Sequence, residues 1–369
     1  MATNDTLALV TGAAGWLGSG LVQALAKGLD HEALKGISRP RTVRALILPS
    51  EDGARLRRMS ERVTVLEGDL RNPSDAQKLC EGARGATLFH CAGLVHPRKV
   101  SDFYDVNVGG TQKVLEAAAA AGVRRAVIVS SNSPIGTNPS PDHSFDESSP
   151  FNPYMNYGRS KMQMEQMVQD VQKAGKIETV VIRPPWFYGP LQPPRQTLFF
   201  EMIRDGKGPV VGSGNNRRSM AYIDNLCQGL LLAEAQERAN GQVYWIADER
   251  PYTMNEVLDT VERLLEGEFG MRCAHKRLKL PGIASEIAWL VDWSLQALGL
   301  YHQKIHVLSE MNKTIACSVD KAKRELGYKP EVALEEGMRR SIAWCITEGL
   351  LMPAAGTRAA LPAGGQQEG

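Results

Sequence analysis

Six short β-branched apolar runs punctuate the first half of the chain, at 7–11, 43–48, 63–66, 87–90, 126–130 and 179–182, with helix-like stretches between them. Strands alternating with helices predict a parallel sheet covered by helices on both faces. Two helices are legible on their own: 109–121 is Ala-rich and stops at Gly122, and 160–173, full of Met, Gln and Glu, stops before Gly175. Glycine suits both ends as a C-cap. Beyond about residue 184 the pattern changes, Pro and Gly clustering in PPWFYGPLQPPR and GKGPVVGSGNN before helices take over. An α/β body at 1–183 is therefore expected, with a smaller, mainly helical lobe at 184–350 interleaved with it. KGLDHEALKGISRPRT at 27–42 is long for a helix-to-strand connection and reads as a surface excursion. PAAGTRAALPAGGQQEG at 353–369 is almost free of large apolar residues and is expected to be a disordered tail.

Composition narrows the function. The chain has 369 residues, 43% hydrophobic and 23% charged, which fits a globular protein with a substantial core and excludes a collagen-like or disulfide-framed one. Forty-three Lys and Arg against 41 Asp and Glu leave +2, no strong overall field to gather nucleic acid or anionic membrane. The six cysteines form no CxxC pair and no Cys/His cluster with zinc-ligand spacing, so reduced thiols in a cytoplasmic protein without a metal are expected. The start, MATNDTLALVTGAAG, lacks the basic and long apolar regions of a signal peptide. The most apolar later stretch, IASEIAWLVDWSLQALGLY, carries Glu286 and Asp292, which argues against a membrane span but leaves contact with a membrane surface open. Core packing is the expected use of its helix at 283–298, ahead of covering a hydrophobic substrate.

The strand LALVT runs directly into GAAGWLG and then into the helical pattern SGLVQALAK. Gly12, Gly15 and Gly18 permit a tight turn and a close approach of backbone to a pyrophosphate, while the helix start behind them offers free N–H groups and a positive dipole end. This strand, turn and helix context predicts a dinucleotide site that includes Trp16 and Leu17. Tyr157 and Lys161, four apart in YGRSK, share one helix face. A phenol with a pKa of about 10 is a poor base at neutral pH, so a nearby ammonium is needed to activate it. Tyr154 lacks the spacing, since four residues on lies Gly158.

In this setting the chain resembles the extended short-chain dehydrogenase/reductases, the NAD-dependent epimerase/dehydratase family, over about 7–344. Its motifs occur in the family's order: GAAGWLG, EGDLRN, LFHCAG, DVNVGGT, VSSNSPIG, YGRSK, IRPPWFYGP and MAYIDN. The resemblance implies a Rossmann-type, doubly wound parallel sheet. It places Asp69 and Leu70 beside the adenine, Cys91, Ala92 and Gly93 along the pyrophosphate and ribose, Lys161 on the nicotinamide ribose and Pro184 beside the nicotinamide. His90 is read as a structural donor. Ser131, Tyr157 and Lys161 form the implied catalytic set, and Ser131, Asn132, Tyr157 and Arg218 the substrate side.

The resemblance points to a small-molecule oxidoreductase, and the details choose among its branches. Pro185 stands where sugar-nucleotide members commonly carry Asn, and Ser131-Asn132-Ser133 lacks the acid pair of the dehydratases. Asn225 in MAYIDN and the closing SVDKAKRELGYKP and EEGMRRSIAWC look more like the 3β-hydroxysteroid and sterol dehydrogenase branch. Arg218 pulls the other way, because an arginine there grips a nucleotide diphosphate in the sugar enzymes; Arg217 reads as a solvated surface charge. The expectation is an NAD(P)-dependent enzyme interconverting a secondary alcohol and a ketone on a lipophilic, sterol-like molecule. The alternatives are a nucleotide-sugar epimerase with bound NAD and an idle NAD-binding module. ALILPSED puts Ile47 and Leu48 where a charge would choose the cofactor, so NAD is expected and NADP stays an alternative. A homodimer is the oligomer common in the family.

Overall fold

The structure is a computed structural model that describes residues 7–352, so the expected tail at 353–369 lies outside the described residues. Its centre is an all-parallel, seven-stranded sheet made of β1 (Leu7–Thr11), β2 (Thr42–Ile47), β3 (Val63–Glu67), β4 (Thr87–His90), β5 (Arg125–Val129), β6 (Glu178–Arg183) and the strand Val243–Trp245. The spatial order is Val243–Trp245, β6, β5, β4, β1, β2, β3. Every residue of β1, β4 and β5 is buried, as strands covered on both faces require, and two hydrophobic clusters occupy the two faces. The order reverses between β1 and β4, which opens a crevice at their carboxyl ends. The chain leaves β1 into Gly12 and β4 into Cys91, so both motifs meet at that crevice.

The seventh strand comes from beyond residue 184, so the second region shares the sheet rather than standing apart from it. Two late motifs also meet: Trp186–Tyr188 pairs in parallel with Met220–Tyr222. Buried Asp248 locks this junction, accepting from the Tyr188 hydroxyl at 2.7 Å, the Tyr222 N–H at 3.0 Å and the Asn225 amide at 3.0 Å. Burial raises its pKa to about 6. The excursion at 27–42 is less exposed than its composition suggested. Leu34 is in the core, His31 is buried against Gln228 at 2.7 Å, and Arg41 pairs with Glu234, because this segment packs on the helix Ile223–Ala235.

The main departure is the helix Ile283–Ala297, expected in the core. Its buried residues are Ser285, Ala288, Asp292 and Gln296, while Ile287, Leu290 and Trp293 are at least half exposed. Polar partners on neighbouring elements take the inner face, which leaves the apolar residues outside.

Candidate active site

The glycine turn shows which glycines the fold needs. Gly12 has φ +63°, and a Cβ there would lie 2.7 Å from Ala92 Cα, so the first turn packs directly on the segment after β4. A Cβ on Gly18 would lie 2.1 Å from the Gly12 carbonyl oxygen, so helix α1 (Trp16–Lys27) packs on the turn itself. Gly15 is different: it is exposed, and a Cβ there would approach only the Gly12 carbonyl oxygen, at 3.1 Å. It caps α1 with no side-chain hydrogen bond and no acid in the first turn. This open surface over a helix start fits an anionic pyrophosphate. Trp16 anchors the turn through its indole N–H to the Pro190 carbonyl at 2.8 Å, while the Leu17 side chain is buried in the core, leaving only its backbone for a ligand.

Across the crevice, His90 bridges Thr11 and Thr111, 2.8 Å from each hydroxyl. Burial drops its pKa to about 3, so it is a neutral structural bridge at physiological pH. Burial also pushes the Cys91 thiol up to about 12, which leaves it unreactive. A Cβ on Gly93 would sit 3.1 Å from Lys161 Nζ and 3.6 Å from Asn107 Oδ1. Asn107 was only part of a quoted motif, yet it lies in a π-helical turn, Asp105–Gly110, and holds both polar backbone atoms of Leu94 and the Ser160 hydroxyl. At the expected adenine end Leu70 is nearly buried, and the Asp69 carboxylate is gripped by Arg71, whose hydrogen bonds hold its pKa below the usual range. The Arg71 backbone N–H donates to the same carboxylate at 2.9 Å, so Asp69 also closes a turn.

The helix Met155–Lys173 carries Tyr157 and Lys161, beginning five residues before the predicted 160–173. Gly158 lets it approach the loop after β5, since a Cβ there would meet the Ser133 carbonyl oxygen at 2.5 Å. Ser131 and Tyr157 thereby come together. Burial raises the Tyr157 phenol to about 12, with the nearby Ser131 hydroxyl opposing the rise. The Ser131 hydroxyl also lies 3.5 Å from Asn132 Oδ1 and 3.3 Å from the Ser133 hydroxyl, and accepts from the Ser133 N–H at 3.3 Å.

On the same helix as Tyr157, Lys161 donates to the Val129 carbonyl at 3.1 Å. Burial lowers Lys161 to about 8, with Glu165 opposing. Glu165 is itself held by the Arg183 fork at 2.6 Å and by the Ser130 hydroxyl at 2.5 Å, a buried cluster beneath the site.

The Tyr157 ring belongs to an aromatic cluster. Phe103 lies 5.7 Å from Tyr157 between ring centroids, Tyr301 meets Phe103 edge-on at 5.5 Å, and His96 Nδ1 is 2.8 Å from the Tyr301 hydroxyl. Motif reading missed Phe103, His96 and Tyr301, and the spacing from Tyr157 to Tyr301 offers no signal in one sequence. Tyr154 binds the Ser309 hydroxyl at 2.8 Å, outside the Ser131 pair. Pro184 and Pro185 are buried at the exit of β6. Arg218 donates to the Glu310 carbonyl at 2.5 Å, and its Nε–H is buried without a partner. Arg217, read as a solvated charge, is instead tied to the carbonyls of Pro141 at 2.7 Å and His143 at 2.9 Å. Asn225 is saturated by Asp248 and by Glu331 and Val332 backbone, so its role is structural.

The sheet order and the glycine turn at its switch point define a Rossmann-type α/β fold. Residues 8–247 match the NAD dependent epimerase/dehydratase family, and the chain belongs to it. The uncharacterized protein y4nL of Sinorhizobium fredii is 51% identical over 94% of this chain and 97% of its own. An Arabidopsis thaliana 3beta-hydroxysteroid-dehydrogenase/decarboxylase, isoform 1, is 30% identical over 77% of this chain and 67% of its own. Among solved structures, the dTDP-glucose 4,6-dehydratase DesIV of Streptomyces venezuelae, with NAD and TYD bound, superposes with a TM-score of 0.73 at 26% identity, covering 94% of this chain and all of that one.

Proposed function

We propose that this protein is an NAD(P)-dependent oxidoreductase interconverting a secondary alcohol and a ketone on a lipophilic, ring-containing small molecule. The observation that carries this reading is the aromatic packing beside the Tyr157 ring, where buried Phe103 lies against it and Tyr301 meets Phe103 edge-on, an apolar neighbourhood suited to a ring system. The 3β-hydroxysteroid relative supports it. The residues present fit a dinucleotide: the N–H groups at the start of α1 would hold the pyrophosphate, Asp69 and Leu70 the adenine end, and Cys91, Ala92, Gly93, Lys161 and Pro184 the ribose and nicotinamide. When bound, the nicotinamide supplies a hydride donor or acceptor. Tyr157 Oη holds the proton exchanged with the substrate oxygen, and Ser131 orients that oxygen. A phenol raised to about 12 is protonated at neutral pH, which suits an acid completing ketone reduction.

One observation favours the epimerase reading: the unpartnered Arg218 Nε–H is free to meet an anion. A substrate panel with both cofactors tests the two. Net change in reduced-nicotinamide absorbance with sterol-like ketones, and no competition by UDP, is the expected result. Tight UDP binding that disappears in Arg218→Ala would promote the epimerase.

A further inference from the structure

The helix Ile283–Ala297 is amphipathic in the reverse of the usual sense. Its inner positions are held by polar contacts: Ser285 donates to the Ser309 carbonyl at 2.8 Å, Asp292 is 2.7 Å from His306 Nδ1, and Gln296 Oε1 accepts from the Asn156 backbone N–H at 3.1 Å. Its outer face presents Ile283, Ile287, Leu290 and Val291, 40–65% exposed, and Leu298 follows at 76%. Trp289 and Trp293 flank this face at 40% and 50%. Leaving so many contiguous large apolar side chains in water is costly, and such patches mark interaction surfaces.

The charges around the face identify what it meets. Its exposed acid, Glu286, is neutralised by Lys313. Lys279 lies just before the helix; Lys99, bridged to Leu300, and Lys304, in the following helix, lie at its far end with Arg98 beside them. Among the described residues none of these four bases has an acid within ion-pair distance. A second copy packed with its helix antiparallel about a two-fold axis would set the three bases at the far end of one helix against Lys279 of the other, like charge against like. A surface of phosphate-bearing lipids takes the apolar side chains into its acyl boundary, the indoles at headgroup depth and the bases against its negative charge.

We propose that Ile283–Ala297 docks the protein, lying in the plane of the interface, on an anionic lipid bilayer. Fifteen residues span about 22 Å, short of the hydrocarbon thickness, and no helix among the described residues is long and apolar enough to cross. Docking would set Leu300, and with it the Tyr301 side of the aromatic cluster, at the lipid surface, but it does not depend on the substrate assignment.

Flotation of the full chain with vesicles of phosphatidylcholine alone, or mixed with phosphatidylglycerol, tests this. The native protein should float with the mixed vesicles, weakly with phosphatidylcholine alone, and less as salt rises. The Ile287→Ser/Leu290→Ser double variant should lose at least about tenfold in partitioning, with circular dichroism and NAD affinity unchanged. Lys99→Gln/Lys304→Gln should lose about thirtyfold on the mixed vesicles, from two surface charges at low salt. Native protein that floats with neither vesicle, or a double serine variant that floats as well as the native chain, overturns the proposal. So does a native dimer that does not float and that the serine variant splits into monomers, which would assign the face to a second copy.

Discussion

Two helices of this protein use their faces in opposite ways. Met155–Lys173 turns Met164 and Val168 into the core and places Gly158 and Lys161 against the site, with Gln163, Gln166, Gln169 and Asp170 outward. Ile283–Ala297 turns Asp292 and Gln296 inward and its leucine and isoleucines outward. The first is held by apolar burial, so its position against β5 is set by close packing. The second is held by directional polar bonds to Ser309, His306 and Asn156, and leaves most of its large apolar side chains at least 40% exposed. Apolar residues stabilise a fold only where something covers them.

The comparison is most sharply tested at the helix that carries Tyr157. Tyr157→Phe removes one hydroxyl and keeps the ring, so turnover should fall about a hundredfold or more while NAD affinity, read by calorimetry, stays unchanged. Native turnover on the true substrate would remove Tyr157 from the chemistry.

Matched truncations come next. Met164→Ala, at a fully buried position, should cost about 2–5 kcal/mol in denaturant unfolding. Leu290→Ala, at 57% exposure, should change stability by no more than about 0.5 kcal/mol. A large loss at Leu290 would mean that this face is covered within the folded chain.

The smallest effect concerns the polar seam. Burial, the largest influence on His306, lowers its pKa, but the Asp292 hydrogen bond and the charge of Glu310 more than offset it, so the folded value is raised. Protonation then favours the folded seam: its contribution is complete below the unfolded value of about 6.5 and is lost as pH rises through the folded pKa. Hydrogen exchange over 283–310 should therefore quicken as pH rises through that window, beyond the intrinsic rate increase, and His306→Gln should abolish this excess. An unchanged excess in the variant would exclude His306 as its source.

Much was determined by the sequence alone. The strand runs, the glycine turn and the family were legible because local propensity, apolar periodicity and short motifs act over a few residues. Tertiary structure decided the rest. Phe103, His96 and Tyr301 come to Tyr157 from distant segments, and the Val129 carbonyl that receives the Lys161 ammonium lies on another element. The same holds for the helix at 283–297: its composition marks it as apolar, but which side faces inward depends on Asp292 and Gln296 finding His306 and Asn156, partners that no local pattern announces. Buried polar groups must be satisfied wherever the fold brings a partner, and that requirement overrode the apolar stripe.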